Sequence, residues 1–269
     1  MTDLPTRFVA GMVMAAVACL AAYYGSWPFR VLTAAAAAVM LVEYCDMHGL
    51  NRRWGLIGAA LVALVLLGGI EYFYPDSIPS PDDELDADSF APVLAAFAGI
   101  AGAGLIFGLL ARRIAAGWGF VYVAIPAFAL LVLSWAYSGL VFWVMAVTWA
   151  TDIFAYFAGR AIGGPKLAPR VSPNKTWAGL AGGMAGAALA GWGVAWLFDL
   201  GFPFPWIGAP MAVVAQAGDL YESWLKRRAG VKDSGSLLPG HGGVLDRLDG
   251  LLAVAFATIL LLMAGLWTA

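Results

Sequence analysis

The chain has 269 residues, of which 62% are hydrophobic and only 12% charged, with a formal net charge of −2. A soluble domain of this length is nearer half apolar and a quarter charged, so composition excludes an ordinary soluble globular protein. The net charge carries no information about partners because the charges are unevenly placed, and no nucleic-acid partner is expected.

Crossing a bilayer takes about 20 predominantly apolar residues, and such runs recur along the whole chain. In order they predict nine helices, over residues 8–24, 28–44, 54–73, 91–111, 118–135, 139–159, 177–198, 205–224 and 250–268. The fold class expected is therefore all-α, a polytopic membrane protein of one domain over residues 1–269. Only Ala136-Tyr137-Ser138 separates the fifth helix from the sixth, and a lone proline such as Pro126 is tolerated inside a membrane helix. Cys19 and Cys45 lie within or at the end of spans and read as small buried apolar side chains. The stretch holding Cys19 reads as a retained first helix rather than a cleaved signal peptide.

Charge placement supports the same count. With the N-terminus in the cytoplasm, the cytoplasmic segments hold Arg7; Arg52 and Arg53; Arg112 and Arg113; Arg160, Lys166, Arg170 and Lys175; and Lys226, Arg227, Arg228, Lys232 and Arg247. These are 14 of the 15 basic residues, with Arg30 the exception. Lys and Arg are retained on the cytoplasmic side of short loops, so the C-terminus is expected outside. The outer loop after the third helix carries Asp76, Asp82, Asp83, Glu84, Asp86 and Asp88. It fails as an EF-hand, because Ala87 stands where Gly belongs and Val93 where Glu belongs, and it reads as a solvated loop. The Gly179-x-x-x-Gly183 and Gly182-x-x-x-Gly186 spacings suit close helix packing.

Two cytoplasmic segments break the apolar pattern. In the segment from Gly218 to Asp249, Asp219, Glu222, Ser223 and Lys226 share one helix face. Asp219 falls inside the end of the eighth span, where a carboxylate needs a polar cavity, a cation or a basic partner. An ion pair of Asp219 or Glu222 with Lys226 is the plain alternative. At the other end Asp246 and Asp249 are spaced i, i+3 at the entrance of the ninth helix. There they either cap it or, for Asp246 together with Asp219, hold a divalent metal. Magnesium suits hard oxygen ligands and commonly uses one or two carboxylates plus substrate phosphates. Capping alone does not account for the surrounding glycines and bases, which favours the metal.

Between those ends, Ser234, Gly235, Gly240, Gly242 and Gly243 permit backbone conformations that present amides to phosphate oxygens. Lys226, Arg227, Lys232 and Arg247 supply positive charge for a polyphosphate. His241 is either solvated or a phosphate contact. In the second segment, Ser172, Asn174, Lys175 and Thr176 gather at a helix N-terminus, a natural anion site, and Asp152 is a further intramembrane carboxylate. A basic patch drawn to anionic lipid would explain the charge there but not the Ser-Pro-Asn-Lys-Thr order.

In these segments the sequence resembles the CDP-diacylglycerol synthases, or phosphatidate cytidylyltransferases. The resemblance rests on Ser223, Leu225, Lys226-Arg227, Lys232-Asp233, Gly235, Pro239, His241-Gly242-Gly243, Asp246-Arg247 and Asp249, spread over 27 residues. It also rests on Asp152, Ala155-Tyr156, Gly159-Arg160 and Ser172 to Thr176. These matches cover about the last 120 residues, within 152–176 and 218–249. Ala178 departs from the family, which often has Glu there. The resemblance implies an all-helical homodimer in the cytoplasmic membrane, with a site facing the cytoplasm that depends on magnesium and leaves room for a second cation.

The reaction expected is attack of a phosphatidate oxygen on the α-phosphorus of CTP, with pyrophosphate leaving. Asp219 and Asp246 would hold magnesium, and with Lys226 and Arg247 make up the catalytic set. Ser172, Lys175, Thr176, Ser223, Arg227, Lys232, Asp233, His241, Gly242, Gly243 and Asp249 would bind substrate. The rival readings are a cytidylyltransferase for another lipid phosphate, a transporter with Asp152 and Asp219 in an ion path, and a membrane scaffold that leaves the motif unexplained.

Overall fold

Long apolar runs rich in Ala, Leu and Val satisfy their backbone groups only by forming helices in lipid, and helices dominate the architecture. The computed structural model describes residues 4–73, 90–237 and 242–266, with the side chains of 4–8 and 70–73 left aside. The acidic loop after the third helix, Pro239, Gly240 and His241 lie outside the described residues. The elements are α1 (Leu4–Tyr24), α2 (Ser26–Met47), α3 (Arg52–Phe73), α4 (Ala91–Leu110), α5 (Ile114–Ala136), α6 (Ser138–Ile162), β1 (Lys166–Ala168), β2 (Ser172–Thr176), α7 (Trp177–Leu197), α8 (Gly208–Arg228) and α9 (Leu245–Met263).

Among the described residues there are thus nine helices, as expected, with corrected ends. The break between α5 and α6 is the single residue Tyr137, whose extended backbone (φ −164°, ψ 121°) interrupts the helix, while Pro126 sits inside an unbroken α5. α8 continues to Arg228 rather than stopping at 224, with Glu222 and Lys226 paired along its last turns. α9 starts at Leu245, so Asp246 and Asp249 lie within its first turns instead of before it. Among the described residues, α2, α4, α5, α6, α7 and the Arg52–Gly69 part of α3 are long and apolar enough to cross a membrane. The Val9–Tyr24 part of α1 is a shorter apolar stretch. The protein is an all-α membrane protein with one unexpected addition, a two-stranded hairpin.

The chain divides into two compact units, residues 1–138 with 233–248, and residues 139–232 with 249–269. In the first unit α2 packs against α1, α3 and α5, and α4 against α3 and α5. Its core includes Leu41, Tyr44, Leu66, Phe107, Phe120 and Phe128, all essentially inaccessible. Arg30 is buried here too, donating to the Leu67 carbonyl at 3.2 Å and lying over the Trp27 ring.

In the second unit α7 packs against α8, and β2 touches both. The glycine spacing of α7 works as expected: a Cβ on Gly183 would lie 3.0 Å from the Thr151 carbonyl oxygen of α6, so the missing side chain eases the close approach of those backbones. Trp143 donates its indole N–H to the Gly191 carbonyl at 3.0 Å. Thr148 and Thr151 return their hydroxyls to carbonyls one turn back at 2.8 and 2.7 Å, so neither polar group is left unsatisfied.

Candidate active site

In the second unit, the segment after α6 turns back on itself. β1 and β2 pair antiparallel, with Lys166 opposite Thr176 and Ala168 opposite Ser172. The strand delivers Ser172, Asn174 and Lys175 to the mouth of α7, and Thr176 ends it as that helix's cap. The buried Thr176 hydroxyl accepts from the Gly179 amide at 3.0 Å, an interaction that typically supports a helix by about 1 kcal/mol.

Lys175 is the hinge of the site. Its ammonium forms an ion pair with Asp219 of α8 and donates to the amide oxygen of Gln216 at 2.9 Å. The other Asp219 oxygen accepts from the Ser223 hydroxyl at 3.3 Å. The two polar segments singled out in the sequence therefore meet, and the basic partner that Asp219 needs comes from the hairpin. Lys226 pairs instead with Glu222 at 2.8 Å, Glu222 being wholly buried. Arg227 reaches the hairpin turn, donating to the Val171 carbonyl at 3.4 Å and to that of Val231 at 3.3 Å.

Around Lys175 and Asp219 lies a cavity of about 620 Å³ whose walls include Asp152, Tyr156, Arg160, Ser172, Asn174 and Gln216. That size falls in the usual range for small-molecule sites. Its lining mixes two carboxylates, two cations and several neutral hydrogen-bonding groups, a set able to hold a polyanion together with its counter-ion. Asp249 belongs to the same unit. A Cβ on Gly218 would sit 2.8 Å from the Asp249 carbonyl, so the glycine before Asp219 brings α8 directly against α9.

Asp246 belongs to the first unit, and is held differently. One of its carboxylate oxygens accepts the Ser234 amide at 2.9 Å and the Gly243 amide at 2.7 Å. Gly242, with φ +82°, provides the left-handed turn that folds the loop around this oxygen. Lys232, Asp233 and Arg247 are exposed.

The helix capping weighed as the alternative for Asp246 and Asp249 falls largely to Glu43 of α2. Its buried carboxylate accepts the Val244 amide at 3.0 Å, the Leu245 amide at 2.9 Å and the Ser234 hydroxyl at 3.2 Å. Hydrogen bonds to a charged group contribute about 1.5–3 kcal/mol each.

Glu43 and Gln216 escaped the sequence reading. The signal for both was available: a lone ionisable or amide side chain inside an apolar helix is seldom idle.

A metal was also expected. Among the described residues no group of three His, Cys, Asp or Glu side chains is arranged to hold one, but magnesium needs only one or two carboxylates beside phosphates and water. The donor set fits that pattern. An ionised carboxylate has about four acceptor positions, and Asp219 already draws a cation, the Lys175 ammonium, to one oxygen.

The sequence profile described as the cytidylyltransferase family matches residues 5–264. A Brucella abortus protein named phosphatidate cytidylyltransferase is 36% identical over 95% of this chain and 92% of its own. A Bacillus subtilis protein of the same name is 33% identical over 94% of this chain and 96% of its own. One from Pseudomonas aeruginosa reaches 44% identity over 59% of this chain and 60% of its own.

Proposed function

The chain belongs to the cytidylyltransferase family, and from that premise we propose that it is a phosphatidate cytidylyltransferase, transferring CMP from CTP to phosphatidate in phospholipid synthesis. The observation that carries the choice of substrate is the 36% identity with the Brucella protein across 95% of the chain.

In this reaction an anionic phosphate oxygen of phosphatidate forms a bond to the α-phosphorus of CTP. The bond from that phosphorus to the bridging oxygen of the β-phosphate breaks, and pyrophosphate leaves with the electron pair. The nucleophile is already charged, so no strong base is needed, and catalysis is positioning and charge neutralisation. Magnesium, when bound, supplies charge stabilisation to the CTP phosphates. Asp219 and Asp246 are the residues that would hold it, with a second cation left open.

Lys175 pairs with Asp219 and lines the cavity, and would exchange that carboxylate for a phosphate oxygen. Arg160, Ser172 and Asn174 on the same walls suit an anionic head group. Lys226, Arg247, Lys232 and Arg227 would neutralise CTP and the departing pyrophosphate. Ser223, Asp233, Gly242, Gly243, His241 and Asp249 complete the expected substrate contacts.

Nine spans with the N-terminus in the cytoplasm place both polar segments on the cytosolic side, where CTP is available and phosphatidate presents its head group. The support is the segregation of 14 of the 15 basic residues. The setting is the inner membrane of a bacterium, and the family resemblance implies a homodimer.

The test is an assay of the purified protein in detergent with radiolabelled CTP, phosphatidate and magnesium, omitting each in turn. CDP-diacylglycerol and pyrophosphate should form only in the complete mixture. Product formed equally well on another lipid phosphate, with phosphatidate ignored, would reject the substrate assignment.

A further inference from the structure

We propose that Glu43 is a positioning residue for the reaction: it reaches from α2 to clamp the loop that presents Asp246, and so sets the affinity of the site for its divalent cation. The inference rests on the reading of Asp246 as a ligand, and its geometry lies wholly within one compact unit.

The clamp has three parts. One Glu43 oxygen accepts the Val244 amide; the other accepts both the Leu245 amide and the Ser234 hydroxyl. These donors flank the two amides that hold Asp246, those of Ser234 and Gly243. Ser234 is thus shared, its hydroxyl on Glu43 and its backbone N–H on Asp246. Moving Glu43 moves the frame in which the Asp246 carboxylate is aimed.

Two glycines of the motif are explained by this contact. A Cβ on Gly235 would lie 2.7 Å from one Glu43 oxygen, and a Cβ on Gly243 would lie 2.5 Å from the other. The phosphate-loop reading of these glycines needs only flexible backbone. The structure shows the narrower demand that a buried carboxylate must come against the chain at both places.

The chemistry distinguishes Glu from its isostere. Both oxygens accept, and each has a backbone N–H among its donors. Glutamine offers one carbonyl oxygen and one NH2 group. Whichever way its amide is turned, the NH2 faces a backbone N–H of Val244 or Leu245, and a buried donor loses its acceptor. The substitution preserves volume while removing the clamp.

The experiment compares full-length wild type with Glu43→Gln in detergent, by three measurements: amide hydrogen exchange of peptides covering 234–248, Mn2+ affinity by calorimetry, and turnover. Mutating groups that orient metal ligands typically changes metal affinity by about 10–100-fold. Exchange in that peptide should accelerate at least tenfold while peptides from α7 keep wild-type rates. Mn2+ affinity should fall about tenfold, and turnover should recover at high magnesium with the KM for phosphatidate within twofold of wild type.

Unchanged exchange overturns the clamp. Faster exchange with unchanged Mn2+ affinity reduces Glu43 to a structural cap and overturns the positioning role. If Glu43→Gln does not fold, Gly235→Ala, which crowds the same carboxylate, must give the same pair of changes, and wild-type behaviour there overturns the proposal. A wild type that binds no Mn2+ takes the ligand assignment of Asp246 with it and overturns the positioning role, while leaving the clamp to the exchange data. A wild type that binds Mn2+ but forms no CDP-diacylglycerol refutes the assigned reaction alone.

Discussion

Asp219 and Asp246 carry the same charge and are held by opposite means. Asp219 is compensated by side chains, the Lys175 ammonium and the Ser223 hydroxyl. Asp246 is held by backbone, the amides of Ser234 and Gly243, in a loop that Glu43 fixes from behind. A side-chain ammonium can swing from a carboxylate to an incoming phosphate, whereas an amide in a clamped turn stays where it is. The difference suggests a division of labour. On the proposed reading Asp246 would serve as a preorganised ligand, and Asp219 would be kept neutralised by a group that substrate can recruit.

The strongest way to break this comparison is to remove the charges themselves. Asp246→Asn and Asp219→Asn should each lower CMP transfer by at least about 100-fold, as loss of a group that stabilises developing charge does. The check is radiolabelled CTP turnover on folded variants, and near-wild-type rates would reject the residue as an essential ligand.

Lys175→Met should come next, at roughly 10–100-fold, since it leaves Asp219 uncompensated in a half-buried place. If Lys175 and Asp219 act as one unit, Lys175→Met combined with Asp219→Asn should be clearly less than multiplicative, and independent effects would dissolve the pair. Ser223→Ala removes one long neutral hydrogen bond and should change turnover by about fivefold or less; a loss as large as that of Lys175→Met would mean that Ser223 touches substrate. Smallest is Thr176→Val, which removes the α7 cap and should lower stability by about 1 kcal/mol, seen as a drop in detergent melting temperature.

The helices were legible because a bilayer demands long apolar runs, and even the one-residue break at Tyr137 left a trace in Ala136-Tyr137-Ser138. The two polar segments were legible because charges and glycines are conspicuous in such a chain. What stayed hidden was pairing. Lys175 meets Asp219 across 44 residues and Glu43 meets Leu245 across 202, and no local pattern encodes either. The hairpin was missed because its strands are three and five residues long, with Pro173 inside the second, where a loop is the natural expectation. The ion pair of Lys226 with Glu222, one of the two readings open in the sequence, is present in the fold, and the i, i+4 spacing was its signal.

The proposal on which the rest depends is that Asp219 and Asp246 are both needed to bind the cation that grips CTP. Manganese titration followed by electron paramagnetic resonance, with CTP present, tests it most directly on wild type, Asp219→Asn and Asp246→Asn. Both substitutions should weaken the same bound Mn2+ signal by at least tenfold. A wild-type titration curve from either folded variant would contradict the proposal.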